Sequence, residues 1–399
     1  MSDRLTNKLK MLASRPATSF AVVDEGPGLS GSSFGAVAEC LTRLGVADER
    51  IVLLPSWSPP PDALANASAR RLWPRYRKFV GDFDAAWVGT GRLARAFSAT
   101  TLRDVSAGRW RDLVYRSSAE HPATQPQHER RKFLASRSDG ERMLIKFEGL
   151  DSGAQCRRAR ADRLAGAGFA PPVAGFSHGF LATRWVAGAP LACGDVQPDD
   201  LRAIARYVAW NFRRERTGRR ADPAPLLEML RVNADEGLGT GWGDEAVRRT
   251  TPAARSVARA PAVRVDGRML PHEWLRTRYG LIKTDAASHH DDHFYPGEHD
   301  GAWDLAGAAI ELDLDAAASR LLVREYARLS RDQAVDSRFP FMRSAYAAFR
   351  LGYAAMAAGA LGETPDGTGM RVAAARYASV LRRELSADEP GDQSCATGT

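Results

Sequence analysis

The order of the strand-like and helix-like segments most constrains how this chain can fold. Residues 130–150 hold two apolar, strand-like segments that an Asp-Gly turn joins. A helical pattern follows at 154–166, and short strand-like segments continue to Leu191. Farther along, apolar residues recur at helical spacing, and only 262–300 interrupts them with strands and loops. These later helices are predicted at 199–217, 224–236, 302–330, 340–361 and 369–386. Strands segregated before helices predict an α+β fold.

A smaller α/β unit is predicted before this part. Residues 19–24 (SFAVVD) have the composition of a buried strand, and a Gly/Ser loop follows them. The apolar spacing predicts a helix over 33–45 and a second strand over 50–55 (RIVLLP). Strand–loop–helix–strand units build parallel sheets with right-handed crossovers. We therefore expect an α/β fragment over 1–116.

Length and composition predict two domains and a tail for the 399 residues. The polar segment 117–129 (SSAEHPATQPQHE) is predicted to be a linker. The second domain is expected over 130–386, with a strand-rich lobe at 130–191 and a helical lobe at 192–386. The last residues, 387–399, contain acidic but no basic side chains, and we expect a disordered tail there.

Charge and apolar content argue against several classes of protein. The formal net charge is +8, from 56 basic and 48 acidic residues, but no basic block interleaved with aromatic residues stands out. The positive charge is therefore explained by an Arg-rich composition, or by a nucleotide or phosphate ligand at local basic clusters, rather than by a nucleic-acid partner. No apolar run reaches about 18 residues, and the N-terminal segment lacks the apolar stretch of a secretory signal. Cys40, Cys156, Cys193 and Cys395 form no CxxC pair, which fits a reducing cytoplasm without disulfides.

The first candidate site is the loop after the first predicted strand. Ligands of α/β sheets lie at the carboxyl ends of strands, where this loop turns directly into a helix. Glycines let backbone amides approach an anion, and a helix N-terminus favours negative charge. Two adjacent carboxylates beside such a loop suit the vicinal hydroxyls of a ribose. The candidate binding residues are Asp24, Glu25, Gly28, Ser30, Gly31, Ser32 and Ser33.

The segment VVDEGPGLSGSS resembles the phosphoribosyl-diphosphate loop of type I phosphoribosyltransferases, over about residues 20–55. The resemblance implies a site for phosphoribosyl diphosphate or a ribose phosphate. The strands that precede the loop in that family, and its flexible catalytic loop, have no counterpart in residues 1–19. Three interpretations stay open: an ordinary Gly-rich turn, a remnant that binds phosphate or ribose, and a transferase half that a partner chain completes.

The second candidate site begins at Lys146, within the otherwise apolar strand MLIKF. A lysine in such a strand must reach solvent or be paired, because burying an unpaired ammonium is costly. It is therefore either an edge-strand lysine that faces water or a clamp for nucleotide phosphates. The helix predicted after it offers no glutamate partner, and its nearest polar candidates are Gln155 and Asp162.

The elements around Lys146 resemble the N-terminal lobe of the aminoglycoside phosphotransferase and choline kinase family, whose fold is protein-kinase-like. In that family a strand lysine is followed by a helix, a strand pair and a connector of the form WVxGxPL, which Trp185–Leu191 matches. The resemblance covers about 130–385. It implies a two-lobed α+β fold, ATP with its adenine near Ala182 to Val186, and a small hydroxylated substrate.

The same resemblance suggests where a metal ion would bind. The segment DGAWDLAGA is similar to the helix start that follows the metal-binding aspartate of that family, and it implies that Asp304 caps local backbone. Asp285, at the end of GLIKTD, stands where the family holds Mg²⁺. Glu273 takes the position of the metal-binding asparagine. The implied metal ligands are thus Asp285 and Glu273.

The catalytic position departs from the family pattern. Arg268 stands where the resemblance implies the catalytic aspartate. Asp266, two residues earlier, and His272 are the remaining candidates for a general base, since histidine titrates near neutral pH. Either residue would have to accept the proton of a substrate hydroxyl.

A cluster of histidines gives a further candidate metal site. Carboxylates surround these histidines, which are His272, His289, His290, His293 and His299. Histidine and carboxylate ligands bind Zn²⁺, Mn²⁺ or Fe²⁺, but HHDDH has no recognised ligand spacing. The segment is either a solvated polar loop or a metal site, and in a metalloenzyme His289, His293 and Asp285 would be ligands.

The sequence therefore favours a cytoplasmic, kinase-like ATP-binding protein that acts on a small hydroxylated molecule and carries an N-terminal ribose-phosphate-binding loop. Whether it is an enzyme stays open; if it is active, it is a phosphotransferase. One alternative is a non-catalytic nucleotide sensor, which combines a pseudokinase with an inactive phosphoribosyltransferase fragment. A second is a metal-dependent hydrolase that uses the His/Asp loop at 285–300.

Overall fold

The computed structural model describes residues 3–24, 26, 30–287 and 297–386. Glu25, Gly28 and the predicted tail therefore lie outside the described residues. The chain divides into two compact units, Met1–Ala99 and Thr100–Thr399. None of the described helices combines the length and the apolar character that a membrane span requires.

The first unit contains a parallel three-stranded sheet in the order β1, β2, β3. Its elements are α1 (Asp3–Ala13), β1 (Phe20–Val23), α2 (Ser32–Arg43), β2 (Ile51–Leu54), α3 (Ala67–Leu72), β3 (Arg77–Lys78), a π-helical turn (Asp84–Gly89) and α4 (Arg92–Ala96). Phe20 pairs with Ile51, and Val23 pairs with Leu54. The two predicted strands and the helix between them are confirmed as β1, α2 and β2. Helix α1 was not predicted.

One apolar cluster forms the core of this unit. Phe34, Ala38 and Leu41 follow helical spacing along α2, and all three are buried. They belong to the same cluster as the inward-facing strand residues Ile51 and Leu53. The alternation along β2 and the helical period along α2 therefore bury one face of each element.

The second unit begins with an antiparallel five-stranded sheet in the order β4, β5, β6, β8, β7. Its elements are β4 (Thr101–Asp104), α5 (Arg111–Val114), β5 (Lys132–Ser136), β6 (Arg142–Phe147), α6 (Ser152–Gly166), β7 (Val173–Ser177) and β8 (Phe180–Arg184). The predicted Asp-Gly hairpin is confirmed, with Lys132 opposite Lys146. The boundary between the units falls at Ala99, earlier than the predicted 116, because β4 pairs with β5.

Helices dominate the rest of this unit, and two small antiparallel sheets, β10–β11 and β13–β12–β9, interrupt them. The elements are β9 (Ala189–Pro190), α7 (Pro198–Arg214), β10 (Arg216–Arg220), α8 (Ala224–Leu238), α9 (Trp242–Val257), β11 (Pro261–Val263), β12 (Trp274–Thr277), β13 (Gly280–Lys283), α10 (Ala302–Glu311), α11 (Ala316–Ser330), α12 (Phe339–Leu361) and α13 (Pro365–Ser386). This mixture of segregated strands and helices confirms the α+β class.

The predicted linker at 117–129 is not a free connection. Thr124 and Gln125 are buried. The Thr124 amide donates to Asp366 Oδ1 at 3.0 Å, and the Arg111 guanidinium donates to both oxygens of Asp366 at 2.6 and 3.2 Å. The connection between β4 and β5 is therefore fixed to the first turn of α13.

Helix α10 is buried along its whole length. The Trp303 ring lies 5.2 Å from the Tyr346 ring and 5.6 Å from the Phe349 ring, both on α12. A Cβ added to Gly307 would lie 2.7 Å from Tyr346, so only a glycine permits this close approach. This packing fixes Asp304, on the first turn of α10, inside the unit.

Candidate functional site

Lys146 lies on the central strand β6, between β5 and β8. Its Nζ is 2.5 Å from Asp285 Oδ1 and 3.3 Å from Glu148 Oε1, and its side chain is 12% exposed. Lys146 and Asp285 are thus in direct contact, and the alternative of a solvent-facing edge-strand lysine is excluded. Burial lowers the pKa of Lys146, but the carboxylates of Asp285 and Glu148 outweigh it, so the net pKa is raised. Lys146 is therefore an ammonium at neutral pH.

Glu148 is a site residue that the sequence argument missed. Its side chain is buried, and it forms ion pairs with Lys146, Arg130 and Arg157. Arg157 also donates its Nε–H to the Glu148 main-chain oxygen at 2.9 Å. Period-two spacing along an extended chain places residues 146 and 148 on one side and offers a signal for this contact. The candidate Asp162 instead lies 3.7 Å from Arg158 on an exposed helix face.

A pocket lies beside this pair, with an apolar part and a polar part. The apolar part is lined by Leu144, Ala161, Leu164, Ala170, Pro171, Leu181, Ala286 and Ala287. Lys146, Glu148, Thr183, Thr284 and Asp285 supply the polar part. Within the segment predicted to contact adenine, Thr183 lines the pocket, whereas Ala182 is fully buried. Strands β6 and β8, helix α6 and the segment after β13 thus contribute to one pocket.

A second buried lysine, Lys283, lies at the end of β13. The Lys283 ammonium is completely buried and lies 2.6 Å from Glu273 Oε2, 3.2 Å from Asp266 Oδ2 and 3.3 Å from the main-chain oxygen of Asp285. Burial lowers the pKa of Lys283, but the Asp266 and Glu273 carboxylates raise it more, so the net pKa is raised. Lys283 is therefore an ammonium at neutral pH.

Asp266 does not have the exposure that a general base needs. It is fully buried, and its Oδ2 accepts a hydrogen bond from the Tyr207 hydroxyl at 2.6 Å in addition to the contact with Lys283. A general base must come within hydrogen-bond reach of the substrate proton. A catalytic role for Asp266 therefore stays a prediction that its burial and its contacts with Tyr207 and Lys283 do not strengthen.

Asp304 fixes the turn that carries Asp266. Its two carboxylate oxygens accept hydrogen bonds from the amides of Asp266 and Gly267, at 2.8 and 2.9 Å. The Trp303 indole donates to the Gly267 oxygen at 3.1 Å. Burial, followed by the charge of Asp266, raises the pKa of Asp304 to about 7. The capping role that the resemblance implied for Asp304 is confirmed.

His272 and Arg268 lie against aromatic rings. The His272 ring stacks on Trp110 at 5.2 Å, and burial lowers the pKa of His272, so its imidazole is neutral at pH 7. The Arg268 guanidinium lies 5.5 Å from the centre of the Tyr353 ring. Neither residue lines the pocket beside Lys146. A catalytic role for His272 is therefore a prediction that this geometry does not strengthen.

The predicted ligands Asp285 and Glu273 do not fit a divalent metal. Each carboxylate contacts a different lysine: Asp285 contacts Lys146 at 2.5 Å, and Glu273 contacts Lys283 at 2.6 Å. A divalent cation requires oxygen ligands around an empty centre rather than an ammonium. In the part of the chain that the structure describes, no group of three or more His, Cys, Asp or Glu side chains is arranged to hold a metal.

The histidine cluster is only partly described. His289, His290 and His293 lie outside the described residues. His299 is buried, and burial lowers its pKa to about 4. The neighbouring carboxylates pair with arginines: Glu298 with Arg264 at 3.3 Å, and Asp300 with Arg338 at 2.5 Å.

In the loop between β1 and α2, backbone conformation and packing explain why residue 31 is a glycine. Gly31 has φ +66°, and an added Cβ would lie 3.1 Å from both Ala69 and Leu64. The Ser30 and Ser32 hydroxyls lie 2.8 Å apart, and the Ser32 amide donates to Ser30 Oγ at 3.2 Å. Asp24 and Ser33 are exposed. Packing therefore explains Gly31, and local hydrogen bonds involve Ser30 and Ser32.

Comparison with known proteins gives structural similarity only. No protein-family model and no curated protein matches the sequence. A choline kinase from Streptococcus pneumoniae has a TM-score of 0.48 at 11% identity, over 74% of this chain and 98% of that chain. A macrolide 2′-phosphotransferase from Brachybacterium faecium has a TM-score of 0.46 at 14% identity, over 76% of this chain and 100% of that chain. Such low values assign no activity to this chain.

Proposed function

We propose that residues 100–386 form a kinase-like nucleotide-binding unit that holds ATP in the pocket beside Lys146. The observation that carries the proposal is the contact between Lys146 and Asp285 at the polar part of an otherwise apolar pocket. Apolar walls suit a planar base, and a few polar groups orient a ligand. The Lys146 ammonium is a point charge of the kind that binds phosphate groups.

We further propose that this unit binds nucleotide without efficient phosphoryl transfer. A well-placed general base contributes about 10²–10⁴-fold to such a reaction. Asp266 is fully buried beside Lys283, and Arg268 occupies the position where a catalytic carboxylate was expected. These features favour the nucleotide-sensor alternative over an active small-molecule kinase.

Calorimetric titration of ATP into the full chain tests both proposals. We expect saturable binding that Lys146→Met weakens by about tenfold or more, since a charge-assisted contact is worth about 1.5–3 kcal/mol. Arg142→Met is the matched control, because Arg142 lies on the same strand, is exposed and stacks on Trp185. Equal losses in both variants, or no binding in the parent, would contradict the nucleotide proposal.

Measurement of ATP turnover distinguishes a non-catalytic nucleotide sensor from an active kinase. ATP hydrolysis and transfer to small hydroxylated acceptors are measured with the same preparations. We expect neither above the uncatalysed rate. Turnover that Lys146→Met abolishes would establish the kinase alternative.

For the N-terminal loop, binding of phosphoribosyl diphosphate or a ribose phosphate stays a prediction. Titration of these ligands into the full chain tests it, with Asp24→Asn as the variant. That a partner chain completes this unit also stays a prediction.

A further inference from the structure

The carboxylates assigned to a metal already surround a cation. Three oxygens lie within 3.3 Å of the Lys283 ammonium: Glu273 Oε2, Asp266 Oδ2 and the main-chain oxygen of Asp285. An ammonium has three N–H donors, so these oxygens match its hydrogen-bonding capacity. Lys283 and Asp266 have no exposed surface, and Glu273 is buried. This cluster is a closed cation site whose cation is part of the chain.

We propose that Lys283 is a built-in cation that takes the place of a divalent metal in this cluster, so that nucleotide binding beside Lys146 needs no divalent metal. The metal-independent binding of nucleotide rests on the proposed nucleotide-binding function. The replacement of a metal by Lys283 rests only on the contacts of Lys283.

A metal ion and the ammonium cannot occupy this cluster together. Divalent metals bind oxygens at about 2.0–2.6 Å, which would place the ion where the Lys283 Nζ lies. Two cations within a few ångströms repel each other strongly in a buried environment. The remaining assigned ligand, the Asp285 carboxylate, lies 2.5 Å from Lys146 Nζ. Each carboxylate assigned to the metal therefore has a lysine as its counter-ion.

Titration with Mn²⁺ alone tests the assignment without any nucleotide. The signal of free Mn²⁺ in electron paramagnetic resonance is followed as the metal is added to the full chain. We expect the same bound fraction in the wild-type protein, in Glu273→Gln and in Asp285→Asn, because neither carboxylate holds metal. A bound fraction that falls by about one site per chain in either variant would overturn the proposal.

Removal of the ammonium should create the metal site. In Lys283→Ala, two carboxylates and the Asp285 main-chain oxygen surround the vacated space. We expect this variant to unfold at a lower temperature than the wild-type protein in EDTA, and to regain stability when Mn²⁺ is added, since a ligand that binds only the folded state stabilises it. The wild-type unfolding temperature should not respond.

The double variant Lys283→Ala, Glu273→Gln is the control for this gain. It lacks one carboxylate ligand, and we expect its response to Mn²⁺ to disappear. A Lys283→Ala protein that ignores Mn²⁺, or a wild-type protein that responds equally, contradicts the proposal. Where Lys283→Ala does not fold, the Mn²⁺ titration of the wild type, Glu273→Gln and Asp285→Asn decides.

The nucleotide part is tested by measuring ATP affinity in EDTA and in Mg²⁺. We expect the two dissociation constants to agree within about threefold, and a weakening of about tenfold or more in EDTA would overturn metal independence. Absence of ATP binding under both conditions would instead refute the proposed function. The Mn²⁺ experiments would then still decide the assignment of Lys283.

Discussion

Burying an ionised side chain costs several kcal/mol unless partners replace the water that it loses. In the second unit these partners are present. Arg338 contacts Asp300 and Asp332, each at 2.5 Å, and the Glu311 carboxylate contacts Arg350 at 2.9 Å. Removing one member of such a pair leaves the other charged and buried. The damage therefore exceeds the net contribution of the intact pair.

Arg338→Met is expected to lower the free energy of unfolding by about 3–5 kcal/mol, because it leaves Asp300 buried without its cation. Arg328→Met is the control: the Arg328 side chain is 65% exposed and pairs with Glu325 at 2.8 Å. Loss of an exposed pair costs about 0–1 kcal/mol. Urea unfolding at pH 7 measures both, and similar losses in the two variants would contradict this account.

His299 should make the protein sensitive to acid. Burial lowers its pKa from 6.5 to about 4. Above pH 6.5 the imidazole is neutral in the folded and unfolded states. As the pH falls from 6.5 toward 4, only the unfolded state takes up the proton, so stability falls by up to about 1.4 kcal/mol per pH unit. We expect His299→Gln to flatten this part of the curve in urea unfolding at several pH values; an unchanged slope would show that other groups cause it.

The environment of a single residue could be predicted where the sequence of one strand contained the signal. Lys146 drew attention because it interrupts an apolar strand, and the structure pairs it with Asp285. Lys283 also interrupts an apolar strand, GLIK, so the same reasoning predicts that its ammonium is paired. In this segment, however, only Asp285 was considered, as a metal ligand. The partners of Lys283, namely Glu273 and Asp266, come from a different loop. The spacing of residues within one segment cannot predict a contact with a different segment.

At the scale of elements, apolar periodicity predicted the type of most segments and missed breaks that local backbone geometry causes. The helix predicted over 302–330 is two helices, α10 and α11. Asp313 adopts φ +51°, and the Asp315 side chain accepts from the Ala318 amide at 2.7 Å to cap α11. Helix α9 was not predicted, and it contains Pro252. A proline inside a helix weakens the sequence signal.

The contact between α10 and α12 gives an element-scale prediction. Gly307→Ala would place a Cβ 2.7 Å from the Tyr346 ring, so we expect a loss of about 1–3 kcal/mol from overpacking. Gly359→Ala is the control on α12, where an added Cβ meets nothing within 4 Å. An alanine there should stabilise the helix by about 0.5–1 kcal/mol. Thermal unfolding of both variants measures the difference, and equal shifts would mean that α10 can move away from α12.

At the scale of the molecule, each unit has its own hydrophobic core. The buried cluster around Phe34 contains residues of the first unit only, and the large cluster around Trp303 contains residues of the second. The sequence predicted two domains because the strand and helix patterns change along the chain. It placed the boundary too late, since β4 is short and its partner β5 lies beyond the supposed linker.

A fragment of residues 100–386 is therefore expected to fold alone. It should unfold cooperatively in urea and bind ATP with the affinity of the full chain, because every residue that lines the Lys146 pocket lies within it. Circular dichroism and calorimetry measure these properties. A fragment that lacks cooperative unfolding would show that the second unit depends on the first.

The five-stranded sheet contacts the helical part of its unit at several places. Arg111 and Thr124 bind Asp366 at the start of α13. Lys146, on β6 of the sheet, contacts Asp285, which follows β13 of the helical part. A ligand can enter between these two side chains only when their ion pair opens. The apparent affinity for such a ligand is therefore reduced by the fraction of molecules in which the pair is open.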